Sequence, residues 1–277
     1  MPSSTGCSVL ASSAGCGRDK AVNTEDAYGR IAYRNLIAWP ERLQREAPLL
    51  CRVLEGAPSR RVLDLGCGSG EHSRFLASLG FEPTGVDASA AQLEAAREAD
   101  PAGRYVQAGL AALPEADLGK HGAALCVGNT LPHLCEEGEI LAFFTGLARC
   151  LLPGAPFLLQ LLNYDRILDR GERTFPLVLR PSEREGEDTL FLRLMTHHGD
   201  GRLTFLPATL GHRPGSEAPL EVLSAQEVPL RGWRRNDVER LLEQAGFKVR
   251  EVLGTMGGEA WGPASPDLLV VAQRAIL

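Results

Sequence analysis

The sequence lacks an apolar run long enough to cross a membrane. Its longer apolar stretches, such as Pro156 to Leu162, fall far short of the roughly 20 residues that a membrane-spanning helix needs. The N-terminus also lacks the basic and apolar regions of a secretory signal peptide. We therefore expect a cytoplasmic protein that does not associate with membranes.

Paired cysteines, metal-ligand clusters and excess positive charge are missing as well. The seven cysteines include no Cys-x-x-Cys pair, so we predict neither a disulfide framework nor a metal site. A formal net charge of -6 does not favour binding to the phosphates of nucleic acids. The 277 residues, of which 44% are hydrophobic, are enough to bury a large core within one domain.

The most informative feature that is present is an apolar run that ends in alternating glycines. Residues 62–65 predict a buried strand, Gly66, Gly68 and Gly70 follow it, and a helical pattern then continues to Gly80. Glycine has no Cβ and reaches positive φ, so a flat ligand can lie against bare main chain here. The segment therefore predicts a strand, a ligand-binding glycine loop and a helix.

Three acidic residues limit the class of ligand. Asp87 ends a second predicted strand and can accept both hydroxyls of a ribose, as expected for NAD or for S-adenosylmethionine. The spacing is GxGxG, however, and Glu71 takes the third glycine position of a dinucleotide loop, where it would repel pyrophosphate. Asp64 favours S-adenosylmethionine, which carries positive charge and no phosphate. An NAD(P)-dependent oxidoreductase remains the alternative.

The segment VLDLGCGSG resembles the glycine loop of class I S-adenosylmethionine-dependent methyltransferases. The resemblance implies an α/β fold with a Rossmann-like, doubly wound, seven-stranded mixed sheet whose last strand is antiparallel. A helix near the N-terminus is expected to bring Arg42 to the methionyl carboxylate of the donor. With the residues above, the expected donor site comprises Tyr33, Arg42, Asp64, Gly66, Cys67, Gly68, Gly70, His72, Asp87, Ala88, Gly109, Leu110, Gly128 and Asn129.

Strand and helix patterns alternate along the chain as a doubly wound sheet requires. Strands are predicted near 62–65, 84–87, 104–107, 123–128, 156–163, 247–253 and 267–273, and helices near 89–99, 137–152 and 238–245. We divide the chain into a disordered tail (1–20), an N-terminal helical cover (21–58), a methyltransferase core (59–170 and 232–277) and an inserted segment (171–231).

The inserted segment alternates like an antiparallel sheet. Strands are predicted at Leu190 to Met195, Leu203 to Leu206 and Glu221 to Val228, with a hairpin turn at 199–201. Such an insertion would form a cap over the carboxyl ends of the parallel strands, where ligands bind in open α/β sheets. We expect it to select the acceptor, although a dimerisation arm is the alternative and a homodimer is left open.

A second motif, Gly128 to Leu134, follows the fourth predicted strand. Amino-modifying DNA methyltransferases have an aromatic residue here that stacks on a flipped base, and this chain has none, so nucleic acid is not an expected substrate. The motif resembles the GNS-x-x-HL segment of the glycine and sarcosine N-methyltransferase group, and Asn163 to Leu168 resembles that group's NYDxIL stretch. The resemblance makes His133 and Tyr164 the catalytic candidates; His133 could contact substrate or order its loop.

One departure from that group concerns the substrate. Glycine-methylating members have an arginine for the amino acid carboxylate where this chain has Leu162, so we do not expect a glycine-specific site. Arg166 or an arginine of the inserted segment could replace it, and an amine without a carboxylate is equally open.

The expected chemistry needs little from the protein beyond alignment and exclusion of water, effects worth roughly 7–11 kcal/mol. A neutral amine has a free lone pair, whereas a hydroxyl would need a base or a metal. We therefore predict an S-adenosylmethionine-dependent methyltransferase of a small molecule, acting on nitrogen, with sulfur and carbon still open. A non-catalytic S-adenosylmethionine-binding regulatory module is the further alternative.

Overall fold

The computed structural model describes residues 37–276 except 183 and 185. Within this range the α-helices are α1 (Trp39–Leu54), α2 (Glu71–Ser78), α3 (Ala90–Ala99), α4 (Glu137–Cys150), α5 (Tyr164–Arg170) and α6 (Arg235–Gln244). The strands are β1 (Arg61–Leu65), β2 (Glu82–Asp87), β3 (Arg104–Gln107), β4 (Ala123–Cys126), β5 (Pro156–Leu162), β6 (Val178–Pro181), β7 (Asp188–His197), β8 (Arg202–His212), β9 (Leu220–Ala225), β10 (Val228–Arg231), β11 (Phe247–Leu253) and β12 (Asp267–Arg274).

The first sheet has seven strands in the order β11-β12-β5-β4-β1-β2-β3. Strands β1 to β5 are parallel, and β12 runs antiparallel between β5 and β11. Both faces of the sheet are covered, which explains why its central strands are continuous apolar runs rather than alternating ones. The predicted fold class is confirmed.

Alternate residues of β5 show how the two faces are covered. Phe157 and Leu159 belong to one hydrophobic cluster with residues of α4 and α6, whereas Leu158 belongs to another with residues of α1 and α2. Because successive side chains of a strand point to opposite faces, the sheet lies between two helical layers. None of the helices in the described part of the chain has the length and apolarity to cross a membrane.

The second sheet, β6 to β10, is antiparallel and lies between α5 and α6 in the chain. The predicted hairpin turn is present, with positive φ at Gly199, Asp200 and Gly201. The predicted strand Glu221 to Val228 was wrong in its extent, because β9 and β10 are separate strands that pair with opposite ends of the long strand β8. Strand β6 and helix α5 were not predicted. Asn163 is the N-cap of α5.

The second sheet shares its core with the first. Met195, Leu203 and Leu230 belong to the same hydrophobic cluster as Phe157 of β5. Trp233 is 1% exposed, and its indole N–H donates to the carbonyl oxygen of Leu134 at 2.8 Å, which ties the end of the second sheet to the loop after β4. The sheet is thereby fixed beside the carboxyl ends of β4 and β5.

Candidate functional site

A cavity of about 1020 Å³ opens at the carboxyl ends of the parallel strands. Its walls come from the glycine loop, the ends of β2 and β4, the start of α1, the second sheet and the loop before β12. This volume reaches the upper end of the range for small-molecule sites, about 300–1,000 Å³. The cavity lies where open α/β sheets bind their ligands.

The glycine loop is held against β2 by backbone hydrogen bonds. The N–H groups of Gly66 and Cys67 both donate to the carbonyl oxygen of Val86, at 2.7 and 3.1 Å. Gly66 has a φ of +72°, and a Cβ there would lie 2.5 Å from the side chain of Thr130, so this position requires glycine. The loop therefore brings bare main chain to the cavity wall.

Asp87 fixes the other side of this loop. Its Oδ2 accepts a hydrogen bond from the N–H of Gly68 at 2.9 Å, and its Oδ1 accepts one from the N–H of Ser89 at 2.9 Å. Burial raises the pKa of Asp87, and these two bonds partly offset that shift. Asp87 lines the cavity, so its carboxylate is held in place where a ligand hydroxyl could bind.

Three expected donor residues differ in how they relate to the cavity. Cys67 lines it, and burial raises the pKa of its thiol, so the sulfur stays protonated. Asp64 does not line it; the side chain is 1% exposed, and Oδ2 accepts a hydrogen bond from Ser73 Oγ at 2.7 Å. Gly70 also lies outside the lining and packs against Tyr105. Asp64 and Gly70 therefore support the loop from beneath, which corrects the expectation of direct contact.

The far end of the cavity is formed by the loops after β2 and β3. Ala88, Gly109 and Leu110, which the sequence analysis assigned to the donor site, all line it. Leu110 begins a short 3₁₀ helix, Leu110–Glu115, and Ser89 caps α3 by accepting a hydrogen bond from the N–H of Gln92 at 3.3 Å. Backbone N–H groups in the first turn of a helix have no partner within the helix and can bind a ligand.

A buried polar chain joins α1 to α2 at the cavity. Arg42 Nε donates to Glu46 Oε1 at 2.8 Å, and Glu46 Oε2 lies 2.8 Å from His72 Nε2. Burial alone would raise the pKa of Glu46, but its hydrogen bond with His72 and the charge of Arg42 lower it overall. The guanidinium of Arg42 also lies 4.8 Å from the ring centroid of Trp39. Arg42 and His72, which the sequence analysis assigned to the donor site, line the cavity, whereas Tyr33 lies outside the described residues.

A second polar network connects β4, β5 and β12. The N–H of Gly128 donates to Gln160 Oε1 at 2.6 Å, and Gln160 Nε2 donates to Asp267 Oδ1 at 3.1 Å. Asn129, at a φ of +67°, accepts a hydrogen bond from the N–H of Leu162 at 3.0 Å. All five of these residues line the cavity.

The two catalytic candidates lie in different surroundings. Tyr164 is fully buried and does not line the cavity; its hydroxyl accepts a hydrogen bond from Asn129 Nδ2 at 3.1 Å. The structure thus gives Tyr164 no direct contact with a ligand in the cavity, contrary to expectation. His133 does line the cavity, and burial lowers its pKa to about 4, so its imidazole is neutral at pH 7.

The second sheet and the C-terminal loop complete the walls. Val178, Phe191, Arg193 and Phe205 come from the second sheet, and Met256 comes from the loop after β11. Sequence reasoning placed the inserted segment over this region but named none of these residues. It also missed Glu46, Gln160 and Asp267; among these, only Gln160 carries a signal, as a polar residue within the apolar stretch 156–162.

The lining around the glycine loop suits a cationic ligand without phosphate. Glu71, Asp87 and the buried Asp64 concentrate negative charge around the glycine loop, and the bare main chain at Gly66 leaves space for a ligand. Within the described parts of the chain, no group of three or more His, Cys, Asp or Glu residues could hold a metal ion. The site is therefore suited to S-adenosylmethionine, which has an ammonium, a sulfonium and ribose hydroxyls.

The fold and this site define a class I methyltransferase, the class of enzyme whose cofactor is S-adenosylmethionine. Residues 62–154 match the family model described as a methyltransferase domain. This match covers about a third of the chain.

Similar proteins agree with this assignment. The chain is 31% identical to a glycine/sarcosine N-methyltransferase of Halorhodospira halochloris over 50% of this chain and 53% of that protein. It is 30% identical to a glycine/sarcosine/dimethylglycine N-methyltransferase of Actinopolyspora halophila over 87% of this chain and 40% of that protein. The chain thus spans about half the length of these curated relatives, or less.

Among solved structures, the fold is similar to that of CalS10, an amino pentose methyltransferase from Micromonospora echinaspora. The TM-score is 0.68 at 22% identity, over 88% of this chain and 95% of that one. At this identity the likeness supports the fold.

Proposed function

We propose that this chain transfers the methyl group of S-adenosylmethionine to a nitrogen atom of a small-molecule acceptor. The observation that carries the proposal is a single cavity bounded on one side by the glycine loop and Asp87 and on the other by the second sheet. Donor and acceptor can therefore share one partly enclosed volume, which favours alignment and excludes water.

The donor contacts follow from the groups that line the cavity. Asp87 accepts the ribose hydroxyls, and the main chain at Gly66 and Gly68 lies against the methionyl part. The loops at Gly109 and Leu110 hold the adenine. With the donor held by these residues, its methyl group would be available to an acceptor beside the end of β4, which lines the same cavity.

Arg42 binds the methionyl carboxylate in this proposal. Its Nε donates to Glu46, and this hydrogen bond orients the guanidinium. The two Nη groups of this cavity-lining residue would then bind the ligand. The contact between Glu46 and His72 in turn fixes Glu46. His72 thus positions the donor site through Glu46 rather than through a direct role in the chemistry.

Nitrogen is favoured as the acceptor atom for two reasons. A neutral amine can attack the activated methyl group without a strong base, and His133, the cavity histidine on the loop after β4, has a pKa lowered to about 4 and is a poor base at neutral pH. The two relatives described above and one structural neighbour bear names that refer to N-methylation or to amino sugars. Asn129 and His133 form the wall next to the acceptor nitrogen.

Calorimetry and a transfer assay test the proposal. We expect S-adenosylmethionine and S-adenosylhomocysteine to bind, NAD and NADP not to bind, and labelled methyl to move to at least one amine in a screen of amines, amino acids, phenols and thiols. Binding of NAD alone would support the oxidoreductase. Donor binding without transfer to any acceptor would support the regulatory module instead.

A further inference from the structure

Arg193 is a charged residue on the otherwise mainly apolar inner face of the second sheet. It lies on β7 between Phe191 and Met195, and these three residues share one face because they are two positions apart. Phe191 and Met195 are buried, at 4% and 1% exposure. Among the residues that the structure describes, Arg193 is the one arginine of the second sheet that lines the cavity.

The surroundings of Arg193 hold its guanidinium but do not neutralise it. The guanidinium lies 5.4 Å from the ring centroid of Phe175 and 5.7 Å from that of Phe191, and Nη2 donates to the carbonyl oxygen of Pro176 at 3.2 Å. Nε is buried and has no hydrogen-bond partner among the described residues. No described carboxylate forms an ion pair with it. A charged group that is partly removed from water normally has an ionic partner, and Arg193 lines the cavity without one, so a ligand anion fits here.

The other arginine considered from the sequence is already paired. Arg166 Nε lies 3.1 Å from a carboxylate oxygen of Glu172, and Nη1 donates to the carbonyl oxygen of Ser265 at 3.0 Å. Arg166 does not line the cavity. It is therefore unavailable to an acceptor, whereas Arg193 is available on a different wall from Leu162.

We propose that Arg193 binds an oxyanion, a carboxylate or a phosphate, on the acceptor, so that the acceptor is an amine with an acidic group. The inference rests on the proposed function and names the substrate class of the same site. A guanidinium matches both oxyanions because its planar fork can donate two parallel hydrogen bonds. Because the oxyanion is bound by the second sheet and not by a residue at position 162, we expect the enzyme to select acceptors other than glycine.

The test compares acceptors that differ in one charge. Phenylalanine with phenylalaninamide and β-alanine with its amide form the carboxylate arm, and glucosamine 6-phosphate with glucosamine forms the phosphate arm. Each pair is assayed with the wild type, with Arg193→Met and with Arg193→Lys. Because the neutral member also differs in amine basicity, the readout is the change that each variant causes in the ratio of kcat/KM within a pair.

For the acidic member of at least one pair, we expect Arg193→Met to raise KM about 10- to 150-fold, the range for a lost hydrogen bond to a charged group. We expect kcat and donor affinity to change little, the neutral member to be unaffected, and Arg193→Lys to restore part of the effect. The matched control is Arg213→Met, because Arg213 pairs with Glu187 and Glu221 and does not line the cavity.

One outcome overturns the inference while leaving the proposed function intact: an unchanged ratio of kcat/KM within every pair in Arg193→Met, whether neither member or both members lose activity. If the wild type methylates no probe, the same probes are titrated into protein saturated with S-adenosylhomocysteine. Binding that requires both the oxyanion and Arg193 supports the inference, and any other result overturns it. Absence of donor binding would instead refute the proposed function.

Discussion

Asp87 is the residue through which the donor site can be tested most directly. Its carboxylate accepts backbone hydrogen bonds from Gly68 and Ser89, both at 2.9 Å, and it lines the cavity. Asp87→Ala removes the proposed acceptor of the ribose hydroxyls and releases the N–H of Gly68 in the glycine loop. We therefore expect weaker donor binding in a protein that still folds.

The magnitude follows from the bonds that are lost. A hydrogen bond to a charged group contributes about 1.5–3 kcal/mol, so we expect donor affinity to fall about 10- to 150-fold. Asp87→Asn keeps the size of the side chain and one acceptor oxygen but loses the charge and the second acceptor. Its effect should therefore be smaller than that of Asp87→Ala.

The pH dependence gives an independent check. Burial raises the pKa of Asp87, and the ionised carboxylate is the form that accepts the loop and ribose hydrogen bonds. Donor affinity should be highest at pH values above this raised pKa, and it should fall as the pH drops through the pKa. In Asp87→Asn, this component of the pH dependence should disappear.

The assay is calorimetry with S-adenosylmethionine and S-adenosylhomocysteine, with thermal unfolding to establish that each variant is folded. Asp169→Ala is the matched control, since Asp169 is an exposed acid that pairs with Arg234 and does not line the cavity. An unchanged affinity in folded Asp87→Ala would refute the assignment of Asp87 to the ribose.

Three further expectations concern the acceptor, stability and charge. We expect glycine to be a poor substrate of the wild type, and because Leu162 lines the cavity, Leu162→Arg should create measurable methylation of glycine. If Leu162→Arg folds and binds the donor but does not methylate glycine, Leu162 is not what excludes glycine. His121 is fully buried, and burial lowers its pKa to about 4, below the unfolded value of about 6.5. The unfolded chain then binds more protons between these values, so stability is lost as the pH falls from 6.5 towards 4, by up to about 1.36 kcal/mol per unit of pKa difference. The free energy of unfolding, measured in urea at pH 7 and pH 5, should differ less for His121→Gln than for the wild type. The same difference in both proteins would show that His121 is not the origin of the pH dependence. DNA and RNA should not bind in a filter assay at physiological salt, because the net charge is -6; saturable binding tighter than about 1 µM would count against a small-molecule acceptor.

Local sequence determined the elements that carry the donor site. The run of glycines needs only its own backbone freedom to form the loop, and positive φ is observed at Gly66, Gly68 and Gly70 as expected. The order of strands and helices follows from hydrophobic period and from breakers, which act over a few residues. For this reason the seven-stranded sheet and the place of Asp87 at the end of β2 were predictable.

Strand limits within the inserted segment were harder to predict. One alternating pattern covers both β9 and β10, and only their pairing with different ends of β8 separates them. Pairing between distant segments is a property of the assembled sheet, and local propensity does not contain it.

Tertiary structure alone decided which polar groups meet at the cavity. Glu46 and His72 are 26 residues apart, and Gln160 and Asp267 are 107 residues apart, yet each pair is hydrogen-bonded. Alternation shows that two sets of side chains on β7 point to opposite faces, but it does not show which face is covered. Packing of the second sheet on the main core makes the face with Arg193 the inner one, because burying Met195 on that face removes its apolar surface from water.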